Sequence, residues 1–204
     1  SSVLQQSGGE MKATKKRPAS EINPIRIACL GDSNTVGVGL GRGNSYPALL
    51  QKCLDERCAA GSYIVKGFGL NGATMADTLG KKCYAHSINC KRAIQFSPGV
   101  YVIMLGTNDA GHLSGEPSRV GAGLSSLIEH LRRDERKGDR QARELYVVLP
   151  PGATPRHSKN LHELVYPGIR HAASSQQAVL VEPAWNQPGT YQVDAVHLSM
   201  QGAT

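Results

Sequence analysis

The chain has 204 residues, 40% of them hydrophobic, and a formal net charge of +7. That length suits one domain able to bury a sizeable core, and no apolar run reaches the ~18 residues that would cross a bilayer. Aromatic residues are only 5% of the chain, and part of the positive charge sits in Lys12, Lys15, Lys16 and Arg17. A nucleic-acid surface, which needs a basic face with interleaved aromatics, is therefore not expected.

Residues 1–24 read as a disordered basic tail, with Ser1–Glu10 as a leader left from expression ahead of Met11. They lack the apolar stretch of a secretory signal, so the compartment stays open, with a lean to the cytoplasm. One domain is expected over 25–204. Ile25–Leu30 predicts a first strand, stopped by Gly31. Pro47 opens a helix with Leu49, Leu50, Cys53 and Leu54 on its inner face. Tyr63–Phe68 predicts a second strand, and a helical region is expected over parts of 74–95. Val100–Leu105 has the near-continuous apolar pattern of a strand covered on both faces. Val120, Leu124, Leu127, Ile128 and Leu131 stand at helical spacing. Leu145–Leu149 predicts a fourth strand, residues 158–174 a helix, and Ala178–Val181 a fifth strand. Strands alternating with helices imply a parallel sheet with helices on both faces, and ligands then bind beyond the carboxyl ends of the strands.

The loops after those strands carry four short motifs. Gly31-Asp32-Ser33-Asn34-Thr35 follows the first strand and Gly69-Leu70-Asn71-Gly72-Ala73-Thr74 the second. Gly106-Thr107-Asn108-Asp109 follows the most apolar strand, and Asp194-Ala195-Val196-His197 lies near the C-terminus. A serine hydroxyl needs a base to become a nucleophile, and histidine titrates near neutrality. A carboxylate three residues before the histidine can meet Nδ1 and leave Nε2 for the serine.

In this order the four motifs resemble the SGNH hydrolase family, also called GDSL esterases and lipases, over about residues 25–204. The resemblance implies a three-layer α/β/α, flavodoxin-like fold with a central parallel sheet of about five strands. It implies Ser33 as nucleophile, His197 as general base and Asp194 as its partner, with an oxyanion hole from the backbone N–H groups of Ser33 and Gly72 and the side chain of Asn108. Asn34 stands where Leu or Ile is frequent in the family. The resemblance also implies a helix beyond His197, where this chain stops at Thr204. Asn44–Leu50 and Val102–Asp109 are similar to family members related to sugar acetylesterases.

Simpler readings stand beside these. Asp32 and Asp109 are expected to hold loops by hydrogen bonds. Ser33 taken alone reads as a helix cap. Gly37, Gly39, Gly41 and Gly43 match neither phosphate-loop spacing, so a flexible loop is expected. Asp194 and His197 lack a third ligand at useful spacing, so no metal is expected, and no cofactor. His112 reads as a surface residue, with lining the pocket as the alternative, and Tyr46 and Tyr101 read as packing residues. Trp185 either stacks on a sugar or covers the core. Of the five cysteines, Cys83 and Cys90 are near enough in sequence to close a small loop, and the others read as thiols. The expected activity is hydrolysis of small acyl esters, acetyl above all, on carbohydrate or similar polar substrates. The alternatives are a lysophospholipase or thioesterase for longer acyl chains, and an inactive carbohydrate-binding protein on the same fold. The expected partner is a small or glycan ester; the oligomeric state is not legible.

Overall fold

The computed structural model describes residues 23–77, 82–112, 117–133, 144–152 and 154–204. The tail expected over 1–24 lies outside the described residues except at its last two positions.

Five parallel strands form the central sheet: β1 (Ile25–Gly31), β2 (Tyr63–Gly69), β5 (Val100–Met104), β6 (Glu144–Val148) and β7 (Val179–Val181), in spatial order β2-β1-β5-β6-β7. The chain runs from β1 outward to β2, then returns past β1 to build the other half. That reversal leaves a crevice beyond the carboxyl ends of β1 and β5, where α/β sheets of this order bind ligands.

Helix α1 (Ser33–Val36) follows β1 at once, and α2 (Tyr46–Arg57) packs on β2, with Gln51 Oε1 accepting the Val65 N–H at 2.6 Å. Between β2 and β5 the helix expected over parts of 74–95 forms only at its end. Ala73–Thr74 (β3) and Lys82–Cys83 (β4) pair as two short parallel strands, and α3 covers Ile88–Gln95. The helix starts there because Ser87 caps it, its Oγ accepting the Cys90 N–H at 3.0 Å. Upstream, Met75 and Ala76 give their N–H groups to a side chain rather than to a helical ladder.

Helices α4 (Thr107–His112) and α5 (Pro117–Arg133) join β5 to β6. Val120, Leu124, Leu127, Ile128 and Leu131 of α5 are all buried, each contributing about 1.5–3 kcal/mol of apolar transfer. The helix expected over 158–174 runs as α6 (Pro155–Asn160), a π turn (Leu161–Val165) and α7 (Tyr166–Ser175). Pro167 has no N–H to give the Glu163 carbonyl, so the α-helical ladder is interrupted within 161–165, where the wider turn forms.

The layers follow from register. Tyr101, Ile103, Leu145 and Val147 share the face covered by α5 and α7 and are buried. Val102, Tyr146 and Val179 are cross-strand partners on the opposite face, as are Val148 and Val181. Here α2 covers the β1–β2 end, and Leu49, Leu50, Cys53 and Leu54 are only half-buried beneath it, less than the inner face expected of them. Among the described residues the β6–β7 end of this face is half-open, with Val179 52% exposed. The five cysteines are free thiols.

Candidate active site

The crevice beyond β1 and β5 gathers residues from all four motifs. Gly31 ends β1, and Asp32 caps α1 through Oδ1, which accepts the Asn34 N–H at 2.9 Å. Ser33 therefore sits at the first position of a helix, its hydroxyl half-buried at the rim of the sheet.

The C-terminal segment brings His197 to it: Nε2 lies 2.9 Å from Ser33 Oγ across 164 residues of chain. On the other side of the ring, Nδ1 lies 2.6 Å from Asp194 Oδ2. Asp194 Oδ1 also accepts the Val196 and His197 N–H groups at 3.0 and 2.9 Å. The turn that allows this puts Ala195 at φ +53°, a left-handed conformation uncommon outside glycine. Partial burial works against the Asp194 charge, but the bonds from the His197 ring and the two backbone N–H groups outweigh it and pull the carboxyl down to about 2. The carboxylate is thus ionised, and the Nδ1–H tautomer that faces it leaves Nε2 free to accept from Ser33.

Asn108, at the start of α4, ties the second and first motifs together. Its Nδ2 donates to the Ala73 carbonyl at 3.0 Å and, at a long 3.4 Å, to Asp32 Oδ2. Gly72 precedes Ala73 with φ +75° and open space where a side chain would stand, so its backbone is approachable. Asp109 is buried, and its Oδ2 and Oδ1 accept the Met75 and Ala76 N–H groups, both at 3.0 Å. Burial pushes its carboxyl above the ordinary range, against the pull of those N–H groups. Burial also pushes Asp32 up to about 6; the Asn34 N–H works against this, Asp109 nearby adds to it, and His197 opposes it.

Ser33, Asn108, Asp32, Asp194 and His197 are thus linked by direct contacts, and Gly72 adjoins them. Trp185 spends its Nε1–H on the Leu149 carbonyl at 2.8 Å with its ring half-buried, which fixes it to the end of β6. Tyr101 is fully buried and Tyr46 half-buried. Gly37, Gly39, Gly41 and Gly43 lie in a series of turns with left-handed φ. The side chain of His112 lies outside the described residues. Two residues with no assigned role in the motifs also touch the site. Asn34 bonds to Val196 and Leu198, and Gln192 bonds to Val38 and Leu198. Asn34 carried one sequence signal, an amide where the family often has an aliphatic side chain; Gln192 carried none. Among the described residues no three metal-ligating side chains cluster.

Residues 29–204 match the model of the GDSL-like Lipase/Acylhydrolase family. A curated relative, the acetylxylan esterase of Xylanibacter ruminicola, is 34% identical over 148 residues, which is 69% of this chain and 29% of that protein. The chain therefore spans less than a third of the length of the curated relative it matches. Two solved structures share the fold. A carbohydrate acetylesterase family member from Sinorhizobium meliloti has a TM-score of 0.66 at 22% identity, over 88% of this chain and 92% of that one. The lipase/acylhydrolase from Enterococcus faecalis has a TM-score of 0.65 at 19% identity, over 88% of this chain and 89% of that one.

Proposed function

Because the chain belongs to the GDSL-like lipase/acylhydrolase family, we propose that it hydrolyses small acyl esters, acetyl above all, on carbohydrate or similar polar substrates. The observation that carries this reading is the unbroken line from Ser33 Oγ through the His197 ring to Asp194, 2.9 Å and 2.6 Å long.

In this reading Ser33 Oγ attacks the ester carbonyl while its proton passes to His197 Nε2. Asp194 keeps the ring in register and favours the imidazolium that forms. The negative charge on the carbonyl oxygen is met by the N–H groups of Ser33 and Gly72 and by Asn108 Nδ2. The 3.4 Å contact from Asn108 to Asp32 is the weaker of that amide's two bonds, so it is the one the oxyanion displaces, while the Ala73 carbonyl keeps the amide aimed. One such donor is worth roughly 3 kcal/mol in the transition state. The intermediate collapses, the His197 Nε2–H protonates the departing alkoxide, and the acyl group remains on Ser33. Water then attacks the acyl-enzyme with His197 again taking the proton, the C–Oγ bond breaks as the His197 Nε2–H returns that proton to Ser33 Oγ, and the acid product leaves.

The acetyl preference and the carbohydrate substrate are supported by the names of the acetylxylan esterase relative and the acetylesterase neighbour. The test compares 4-nitrophenyl acetate with 4-nitrophenyl decanoate, followed by acetylated xylo-oligosaccharides. Acetate is expected to be the faster ester, and Ser33→Ala is expected to abolish both turnover and labelling by a fluorophosphonate. Faster decanoate hydrolysis refutes the acyl preference; undiminished Ser33→Ala activity refutes the nucleophile.

A further inference from the structure

Asp194 and His197 form a unit that is rigid within itself. Among the described residues, every hydrogen bond of the Asp194 side chain goes to residues 196 and 197: two backbone N–H groups and the ring. These bonds fix the tautomer and tilt of the imidazole. They do not reach the part of the molecule that carries Ser33, so they cannot set the distance from Nε2 to Oγ. Residues 182–198 have no helix and only one isolated bridge, Tyr191 to Leu198. Something else must tie this segment to α1.

Two side-chain amides do so. Asn34, buried in α1 beside Ser33, accepts the Leu198 N–H on Oδ1 at 2.9 Å and donates from Nδ2 to the Val196 carbonyl at a long 3.4 Å. Gln192 donates from Nε2 to the Leu198 carbonyl at 2.8 Å and to the Val38 carbonyl at 2.7 Å. Its own backbone N–H donates to the His197 carbonyl at 2.9 Å. The peptide unit following His197 is therefore gripped at its N–H by one amide and the next carbonyl by the other, and both grips end on residues 34–38. The seat for Gln192 is built into the turn after α1: Gly39 has φ +80°, and a side chain there would run into the Gln192 amide. An amide is the group this task needs, since it accepts and donates at once. Leucine at position 34 does neither, and a carboxylate has no donor for the Val196 carbonyl.

We propose that Asn34 and Gln192 are positioning residues that set the distance between the base and the nucleophile, by holding Leu198 against the segment that begins at Ser33. The proposal rests on the Ser33–His197 reading above. A base displaced by about 1 Å loses on the order of 10²-fold in rate, so the effect belongs in the chemical step rather than in substrate binding.

The experiment uses the whole chain carrying Asn34→Leu, Gln192→Leu, both together, and Asn34→Asp. Rates on 4-nitrophenyl acetate are normalised to folded protein by circular dichroism. Asn34→Leu and Gln192→Leu are each expected to lower kcat by roughly 10- to 100-fold, with KM within about 3-fold of wild type. The double variant is expected to be about as slow as the slower single one, because both amides hold the same residue, Leu198. Asn34→Asp keeps the acceptor for Leu198. It is expected to retain more activity than Asn34→Leu, while losing the donor for the Val196 carbonyl. If Asn34→Leu fails to fold, Gln192→Leu, half-buried on the irregular segment, decides alone. An active wild type with unchanged kcat in the folded leucine variants, or an Asn34→Asp variant no more active than a folded Asn34→Leu, overturns the positioning role. A wild type that neither hydrolyses acetate nor labels with a fluorophosphonate overturns the esterase reading, and this proposal with it.

Discussion

Replacing Asp109 by alanine tests the idea that this carboxylate holds the second motif in place rather than taking part in the chemistry. In the wild type its two oxygens accept the Met75 and Ala76 N–H groups, both at 3.0 Å, and both donors lie in residues at most 3% exposed. Alanine leaves the two N–H groups buried without acceptors, at about 1–3 kcal/mol each, or roughly 2–6 kcal/mol together. Burial that raises the Asp109 pKa works against the wild type here, so the expected net loss lies in the lower part of that range, about 2–4 kcal/mol. For a chain of this size that corresponds to a fall in Tm of roughly 5–15 °C. Asp109→Asn keeps one acceptor and is expected to lie between alanine and wild type. The assay is thermal unfolding followed by circular dichroism at pH 7, with acetate hydrolysis measured well below the transition. Gly72 lies three residues before Met75, so kcat is expected to fall as well. A Tm within about 2 °C of wild type would show that neither N–H depends on this side chain, and the reasoning would fail.

Asp194 and Asp32 are expected to pull stability in opposite directions with pH. Asp194 is depressed from 3.8 to about 2, so its contribution is present above pH ~4 and lost as pH falls through about 2. Linkage alone gives about 2.4 kcal/mol, but 48% of the side chain is exposed and solvent screening cuts this to about 1 kcal/mol or less. Denaturant titrations of wild type and Asp194→Ala should differ by that amount near pH 6 and converge toward pH 2. Asp32 is raised to about 6, so the contribution it makes below pH ~4 is lost as pH rises through 6; Asp32→Asn should remove that decline, and a decline that persists would point to another group. Thiol labelling provides the last check. Burial pushes Cys29 up to about 12 and Cys90 up to about 11, whereas Cys58 is exposed. A disulfide reagent at pH 8 should modify Cys58 quickly and reach Cys29 and Cys90 only on unfolding; rapid native labelling of Cys29 would contradict the packing of β1.

The strands and α5 were legible because each is dominated by one local signal. The run Val100–Leu105 and the spacing of Val120, Leu124, Leu127, Ile128 and Leu131 depend on burial, which acts on single side chains. The region after Gly72 was not legible, because Met75 and Ala76 find their hydrogen-bond partner in Asp109, 33 and more residues away. Similarly, the π turn over Leu161–Val165 depends on how a helix containing Pro167 packs on α5, and a continuous helical pattern does not reveal it. The family motifs pointed to the residues gathered at the crevice. They did not point to Gln192, whose contacts join positions 38, 192 and 198 through side-chain geometry with no repeating pattern along the chain.

Among the described residues, the half-open end of the sheet forms a sticky flank. Val179 and Val181 stand on an outermost strand only three residues long, with Tyr146 and Val148 beside them. A short edge limits strand-to-strand growth between molecules, but flat aliphatic surface still favours contact as salts raise the cost of wetting it. Concentrated ammonium sulfate should therefore gather these molecules valine side to valine side, leaving the catalytic crevice at the strand tips open to solvent.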